Sequence, residues 1–329
     1  MTLGRVSRRL VVAAPLLAAP FALGAAAEAA TESFYAFLEA VRREAAARGI
    51  RLATADLALR GAEYLPHVIE LDRHQPERVL TFAQYLAKTV SPQRQENARR
   101  ALGDNRSLLA AIGRRWNVDP RIIVALWGLE SDFGVITGNY MVVSALATLG
   151  FEGRRGPYFR GELISALRII DQGNVQATAM TGSWAGAMGQ CQFMPSTYLG
   201  YAVDYDGDGR RDIWRDRADV LASIANFISR LGWRGGESWG RRVVLPQGFD
   251  AHITGLEVRR PTWEWGRMGV RSLDAGPLGG REEASLVLPD GEGGPALLVF
   301  NNFRTIMRWN KSTYFAAAVG YLADSMARG

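Results

Sequence analysis

The sequence predicts an α+β protein that is mainly α, and three observations carry that reading. Apolar residues recur at helical spacing from Ser33 to about Ala110 and again through residues 106–233, a stretch from about 234 to 300 turns to short β-rich runs cut by glycine and proline, and helical spacing returns from about Ser312 to Met326. A chain of 329 residues with 48% hydrophobic content can bury a sizeable core and divide into subdomains. The expected division is residues 1–29 as an export signal, 31–105 as an N-terminal helical region, 106–233 with 301–329 as the core, and 234–300 as a small β subdomain.

The first residues stand apart. Arg5, Arg8 and Arg9 precede an alanine-rich apolar run from Leu10 to about Ala27 that ends in small residues, the pattern of a cleaved secretory signal. Ser7-Arg8-Arg9 also permits the twin-arginine route, so the export machinery stays open. The run is short for a bilayer-spanning helix, and no cysteine stands at the junction to carry lipid, so a stable membrane anchor is not expected. Loss of three arginines and Glu28 with the signal takes the formal charge from +6 to +4, mildly basic. Basic residues are scattered and no zinc-finger or RNA-binding signature is present, which argues against nucleic acid.

In the N-terminal region, Phe34, Phe37, Leu38 and Val41 form one stripe and Val79, Phe82, Tyr85 and Leu86 another, with Pro66, Pro76 and Pro92 as punctuation. Next comes the segment WGLESDFGV at 127–135. Asp119 can cap its helix, Pro120 suits the first turn and Gly134 offers a stop. Glu130 then lies near the C-terminal end, with Ile123, Leu126, Trp127 and Phe133 as same-face neighbours. Burial of that stripe desolvates the carboxyl and raises its pKa, and the negative end of the helix dipole acts the same way. A helix-end glutamate in solvent or paired with arginine is the competing reading. Helices are also expected from Tyr158 to Asp171 and after Asp219, and Trp263 and Trp265 read either as cleft walls or as buried tryptophans of the β subdomain.

Three separated segments, WGLESDFGV at 127–135, GSWAGAMGQCQFMPSTY at 182–198 and RWNKSTYFAAAV at 308–319, together resemble the membrane-bound lytic transglycosylase B family. FEGRRGPYFRGEL at 151–163 and DYDGDGRRDIW at 204–214 are similar to the family pattern in order and spacing, so the resemblance covers essentially the whole mature chain. It implies a lysozyme-like core that cleaves the β-1,4 bond between N-acetylmuramic acid and N-acetylglucosamine and leaves a 1,6-anhydromuramic end. Glu130 would be the single catalytic acid and base, and periplasmic peptidoglycan the partner, with cell-wall complex proteins as further candidates. A hydrolytic muramidase and a non-catalytic wall-binding scaffold are the alternatives.

On the same resemblance, Ser183 matches a serine near the acid, Gln192 is a donor or acceptor for an acetamido or hydroxyl group, and Phe193 is an apolar wall. Gln190 departs from the family's more usual apolar residue. Arg154 and Arg155 match paired arginines that would hold glycan carboxylates, with structural ion pairs as the alternative. Asn310 matches an asparagine beside the reacting sugar, though a helix cap would look the same, with Arg308, Tyr314 and Tyr85 as further contacts. Trp309 stands where tyrosine is usual, keeping a stacking face and losing a hydroxyl.

No cofactor is expected for the chemistry, but a structural calcium site is. Asp204, Asp206, Asp208, the Arg210 carbonyl and Asp212 fit successive positions of a calcium loop, with Arg215 where glutamate is expected and Asp219 as the later closing acid. An Asp-Gly turn cluster is the competing reading. The three histidines have no metal spacing, and Cys191 reads as a buried filler.

Overall fold

The computed structural model describes residues 20–74, 80–273 and 278–327, with side chains described from residue 33. Residues 1–19 of the expected export signal, together with Pro76 and Val79, lie outside the described residues. No described helix is long and apolar enough to cross a membrane.

The helix Pro120–Ser131 is the axis of the core. Thr313–Ser325, Pro92–Asp104, Arg217–Arg230 and Arg106–Trp116 pack around it. Every residue from Ile122 to Gly128 is buried, as a helix enclosed on all sides requires. Pro66 and Pro92 each open a helix, where the missing N–H costs no hydrogen bond. Phe34, Leu38 and Val41 are buried, and Phe37 packs partly buried beside them. A second long helix, Gly156–Asp171, pairs with Val142–Glu152 across a short turn.

A five-stranded antiparallel sheet runs Arg260–Pro261, Glu283–Val287, Ala296–Val299, Gly240–Val244, Arg271–Ser272 in spatial order. Leu286 pairs with Leu298 and Val287 with Leu297. The pairing divides the central strands by the two-residue period. Ala284, Leu286, Ala296 and Leu298 enter a small core around the fully buried Trp265, whereas Val287, Leu297 and Val299 join the main helical core. Both faces are covered, which explains why these runs read as continuous apolar stretches rather than alternating ones. Trp265 is a buried core residue whose indole N–H donates to the Ala284 carbonyl, while Trp263 is exposed.

The observed architecture is therefore mainly helical with a small β portion. The last helix begins at Thr313 with Ser312 as its cap, the Ser312 hydroxyl accepting from the Phe315 N–H. Asn310 is not that cap.

Candidate active site

The acid helix starts as its sequence dictates, with the Asp119 carboxylate accepting the Arg121 N–H at 2.8 Å and Pro120 in the first turn. It stops earlier than Gly134. Asp132 and Phe133 both adopt left-handed backbone, φ 50° and 60°, so the helix ends at Ser131. Phe133 is consequently not a helical-face neighbour of Glu130. Its ring folds back over Gly128 and meets Trp127 edge-on at 5.7 Å. Asp132 turns away to pair with Arg94 at 3.2 Å.

Glu130 sits in the last turn, and the Trp309 indole N–H donates to its Oε1 at 2.8 Å. Burial pushes the carboxyl up to about 7, with the indole hydrogen bond pulling the other way. An indole N–H can only donate, so Oε1 is held as an acceptor and the proton of the acid form belongs on Oε2.

Trp309 reaches this position because Asn301–Trp309 buries Asn302, Phe303, Thr305 and Ile306, and residue 309 continues that face. Its ring is wedged against Phe227 at 4.8 Å and Phe193 at 5.6 Å. Phe193 is only 2% exposed, so it is not a wall open to a sugar. Its N–H and carbonyl bond Met188, which turns the ring inward to support Trp309.

The glycine-rich turn is pinned by the small ladder Thr181–Gly182 on Tyr140–Met141. The Ser183 hydroxyl accepts the Ala187 N–H at 3.1 Å. Gln192 adopts φ 49°, and its amide nitrogen donates to the Thr137 and Gly189 carbonyls at 3.0 and 2.8 Å. Its donor capacity is thus spent on backbone, and only Oε1 remains to meet a ligand. Gln190 is a tether: Oε1 accepts from Trp127 Nε1 and Nε2 donates to the Trp214 carbonyl, each at 2.9 Å. Gly134, at φ 89°, lies so close that a Cβ there would stand 2.3 Å from Gln190 Oε1. Cys191 is fully buried.

Of the other sequence-predicted contacts, Tyr85 lies close enough to the acid to feel its charge. Burial raises its hydroxyl pKa and the charge of Glu130 adds to the shift. Tyr314 stacks obliquely on Tyr85 at 5.5 Å and donates its hydroxyl to Asp290 Oδ1 at 2.6 Å. Asp290 Oδ1 also accepts the Phe82 N–H at 2.7 Å, a clasp that sequence reasoning missed. Asn310 is exposed directly after Trp309, and Arg308 donates to the Leu231 carbonyl at 2.5 Å.

The paired arginines make their contacts within the protein, Arg154 with the N-terminal region and Arg155 with the helix Gly156–Asp171. Arg154 bonds the buried Asp72, through Nε at 3.4 Å and to its carbonyl at 2.7 Å, while Arg155 lies over the rings of Phe159 and Tyr158. The structural reading is the one their contacts favour.

In the aspartate loop, carboxylate oxygens of Asp204, Asp206 and Asp219 lie within 4.8 Å of one another. Asp219 accepts backbone N–H groups from Tyr205 and Asp212, both at 2.7 Å, and burial still pushes its carboxyl up to about 6. A close set of hard oxygen donors fits calcium. Asp208 and Asp212 lie outside that three-carboxylate group. Asp208 accepts the Arg210 N–H, and Asp212 accepts the N–H groups of Trp214 and Arg215, so both act as turn caps. Arg210 is exposed.

Comparison with known proteins agrees over nearly the whole chain. Residues 33–324 match the family described as transglycosylase SLT domain. Membrane-bound lytic murein transglycosylase B of Escherichia coli strain K12 is 37% identical over 227 residues, 66% of this chain and 60% of that relative's length. Among solved structures, SltB3 from Pseudomonas aeruginosa in complex with NAG-NAM-pentapeptide superposes with a TM-score of 0.87 at 45% identity, covering 90% of this chain and 80% of that one. The same values hold for SltB3 with NAG-anhNAM-pentapeptide. The Escherichia coli lytic transglycosylase SLT35 in complex with calcium matches with a TM-score of 0.74 at 30% identity, covering 90% and 92% of the two chains.

Proposed function

The chain belongs to the lytic transglycosylase family of the SLT domain, and from that premise we propose that it cleaves the β-1,4 MurNAc-GlcNAc bond of peptidoglycan and leaves 1,6-anhydromuramic ends. The single observation that carries the reading is Glu130: a half-buried residue whose carboxyl is pushed up to about 7 by desolvation and is aimed by one indole donor. Such an acid can both give and take a proton near neutrality.

Glu130 Oε2 gives its proton to the glycosidic oxygen as the C1–O4 bond breaks, and the N-acetylglucosamine residue leaves as an alcohol. The carboxylate then takes the proton of the muramoyl C6 hydroxyl while O6 bonds to C1, which restores the acid. Water is not consumed. Retaining and inverting hydrolases need a second carboxylate, and the nearest acid in sequence, Asp132, is turned away on Arg94. Gln192 Oε1, Ser183, Tyr85, Asn310 and Tyr314 are proposed to position the sugars around this acid. Arg308 is retained as a proposed contact at the cleft edge.

Asp204, Asp206 and Asp219 are proposed to hold a structural calcium ion, which would join the loop to the helix Arg217–Arg230. Export through the N-terminal signal would place the enzyme in the periplasm with its polymer. The likeness to SltB3 bound to a NAG-anhNAM-pentapeptide, and to SLT35 bound to calcium, supports these assignments.

The test is mass spectrometry of muropeptides released from purified sacculi by the mature chain, beside a folded Glu130→Gln variant. Anhydro ends from the wild type alone are expected. Reducing ends would mean that water attacks, as in a muramidase, and release of nothing with binding retained would mean a scaffold.

A further inference from the structure

A cavity of about 460 Å³ opens where the β portion meets the helical core. Glu130 is not part of its wall. The inner wall is formed by Phe300, Asn301 and Arg304 at the start of the helix Asn301–Trp309 and by Arg241 from the neighbouring strand, and Arg234 and Arg259 stand at the rim. Four arginines therefore line one space, against three glutamates, Glu237, Glu282 and Glu283.

The partners of the arginines inside the protein do not neutralise them. Arg304 is half-buried and donates to two neutral acceptors, the Leu256 carbonyl and the Ser285 hydroxyl, at 2.5 and 2.6 Å. Burial disfavours its charge and the charge of Arg259 adds to that, with Glu257 and Glu283 opposing. Arg241 lies 5.5 Å from the Phe300 ring centroid, and neither the Arg241 nor the Arg259 side chain has a hydrogen-bonded or ion-paired partner among the described residues. Arg234 has a loose pair with Glu237 at 3.4 Å in solvent. The helix start adds its positive end, with no side chain capping it. The wall is also built rather than floppy: the Asn302 amide donates to the carbonyls of Arg234 and Glu237 at 2.8 Å, and its oxygen accepts the Arg234 N–H at 2.9 Å.

We propose that this cavity binds the free carboxylates of a peptide stem on the glycan, with Arg241 and Arg259 as the groups that meet them. Guanidinium forks suit carboxylates, and Glu282 and Glu283, which line the same cavity, complement an amine of the same peptide. Reach agrees. The nine-residue helix that starts at the cavity ends at Trp309 on Glu130, a length of about 13 Å at ~1.5 Å per residue, while five extended residues span about 17 Å. The proposal rests on the peptidoglycan reading of the Glu130 site, because that reading supplies the stem.

The experiment has a binding arm and a kinetic arm, both on the full mature chain. Calorimetric titration uses a free stem-type pentapeptide with its carboxylates and amine, the same peptide with its carboxylates amidated, and inorganic phosphate. The wild type is expected to bind the free peptide, and an Arg241→Gln/Arg259→Gln double variant with unchanged melting temperature is expected to bind it at least about tenfold more weakly. Equal binding by the double variant, no binding by wild type, or binding of phosphate and the amidated peptide as tightly as the free one would overturn the proposal. In the kinetic arm, the variant should lose about tenfold in kcat/KM on stem-bearing strands and nothing on strands stripped of their stems. Equal loss on both overturns it. If the wild type cuts neither strand, the transglycosylase reading falls, and the calorimetry alone decides the cavity.

Discussion

Glu130 and Asp219 are both acids whose pKa burial raises, one to about 7 and the other to about 6, yet their surroundings differ in kind. Glu130 has one indole donor, and that indole is wedged against Phe193 and Phe227. Asp219 has two backbone N–H donors and lies within 4.8 Å of two further carboxylates. An apolar surround with a single donor poises a proton. Crowded oxygens call for a cation. Burial alone therefore does not say what a carboxyl is for; the polarity and charge of its neighbours do.

The largest expected break in this comparison is Glu130→Gln. Loss of the proposed proton donor should lower the rate by about three orders of magnitude, within the range of general acid–base catalysis, read as released muropeptides. The same variant should be more stable than wild type at alkaline pH. The folded pKa of about 7 lies above the ordinary 4.5, so wild-type Glu130 is unpenalised below pH 4.5 and loses stability as pH rises through 7. At pH 8 the difference amounts to about 3 kcal/mol at 1.36 kcal/mol per unit, and at pH 4 it should vanish. Denaturant unfolding of both proteins at the two pH values checks it.

Asp219→Asn addresses the other acid. Calcium at a hundred times its dissociation constant should stabilise the wild type by about 3 kcal/mol and the variant far less, as measured by melting temperature with calcium or chelator. Peptidoglycan chemistry at Glu130 should persist in the folded variant at low temperature. Smaller is Trp309→Phe, which keeps a ring and removes the donor. The indole bond lowers the Glu130 pKa, so its loss should move the basic limb of the pH–rate profile upward and cost about tenfold in kcat, the value of one charge-assisted hydrogen bond. Least is Asp290→Asn, worth about 1 kcal/mol through the Phe82 N–H and Tyr314, with the calcium response unchanged.

What could be read from the sequence was what local chemistry determines. Asp119 and Pro120 mark the start of the acid helix, the apolar run after them announces burial, and Glu130 stands out as the polar residue within it. The helix end is not legible because nothing local announces that Asp132 and Phe133 take positive φ; Gly134 is the obvious breaker, but the chain turns before it. Long-range partners were the harder part. Trp309 lies 179 residues from Glu130, and its only sequence signals are the spacing from Asn302, Thr305 and Ile306 and the departure from the family's tyrosine. From sequence that departure is a lost hydroxyl, whereas in the structure the indole N–H supplies the donor. Phe193 and Gln192 share the glycine-rich turn, but which of their atoms face outward depends on backbone bonds to Met188, Thr137 and Gly189 that no spacing reveals.

The Asp290 clasp has a consequence for the order in which the molecule assembles. One carboxylate oxygen joins the first residue of an N-terminal helix, 208 positions away, to a tyrosine of the last helix, and it does so from the turn between two strands of the sheet. Contacts of such separation incur their loop-closure entropy before they return any stabilisation, so they form late. The hairpin and both helices must be in place before Tyr85 and Tyr314 can come together. The Phe82 amide should accordingly be among the earlier helix-start amides to exchange with deuterium, well ahead of those in Pro120–Ser131, making the outer rim of the site the last part of the molecule to close and the first to come undone.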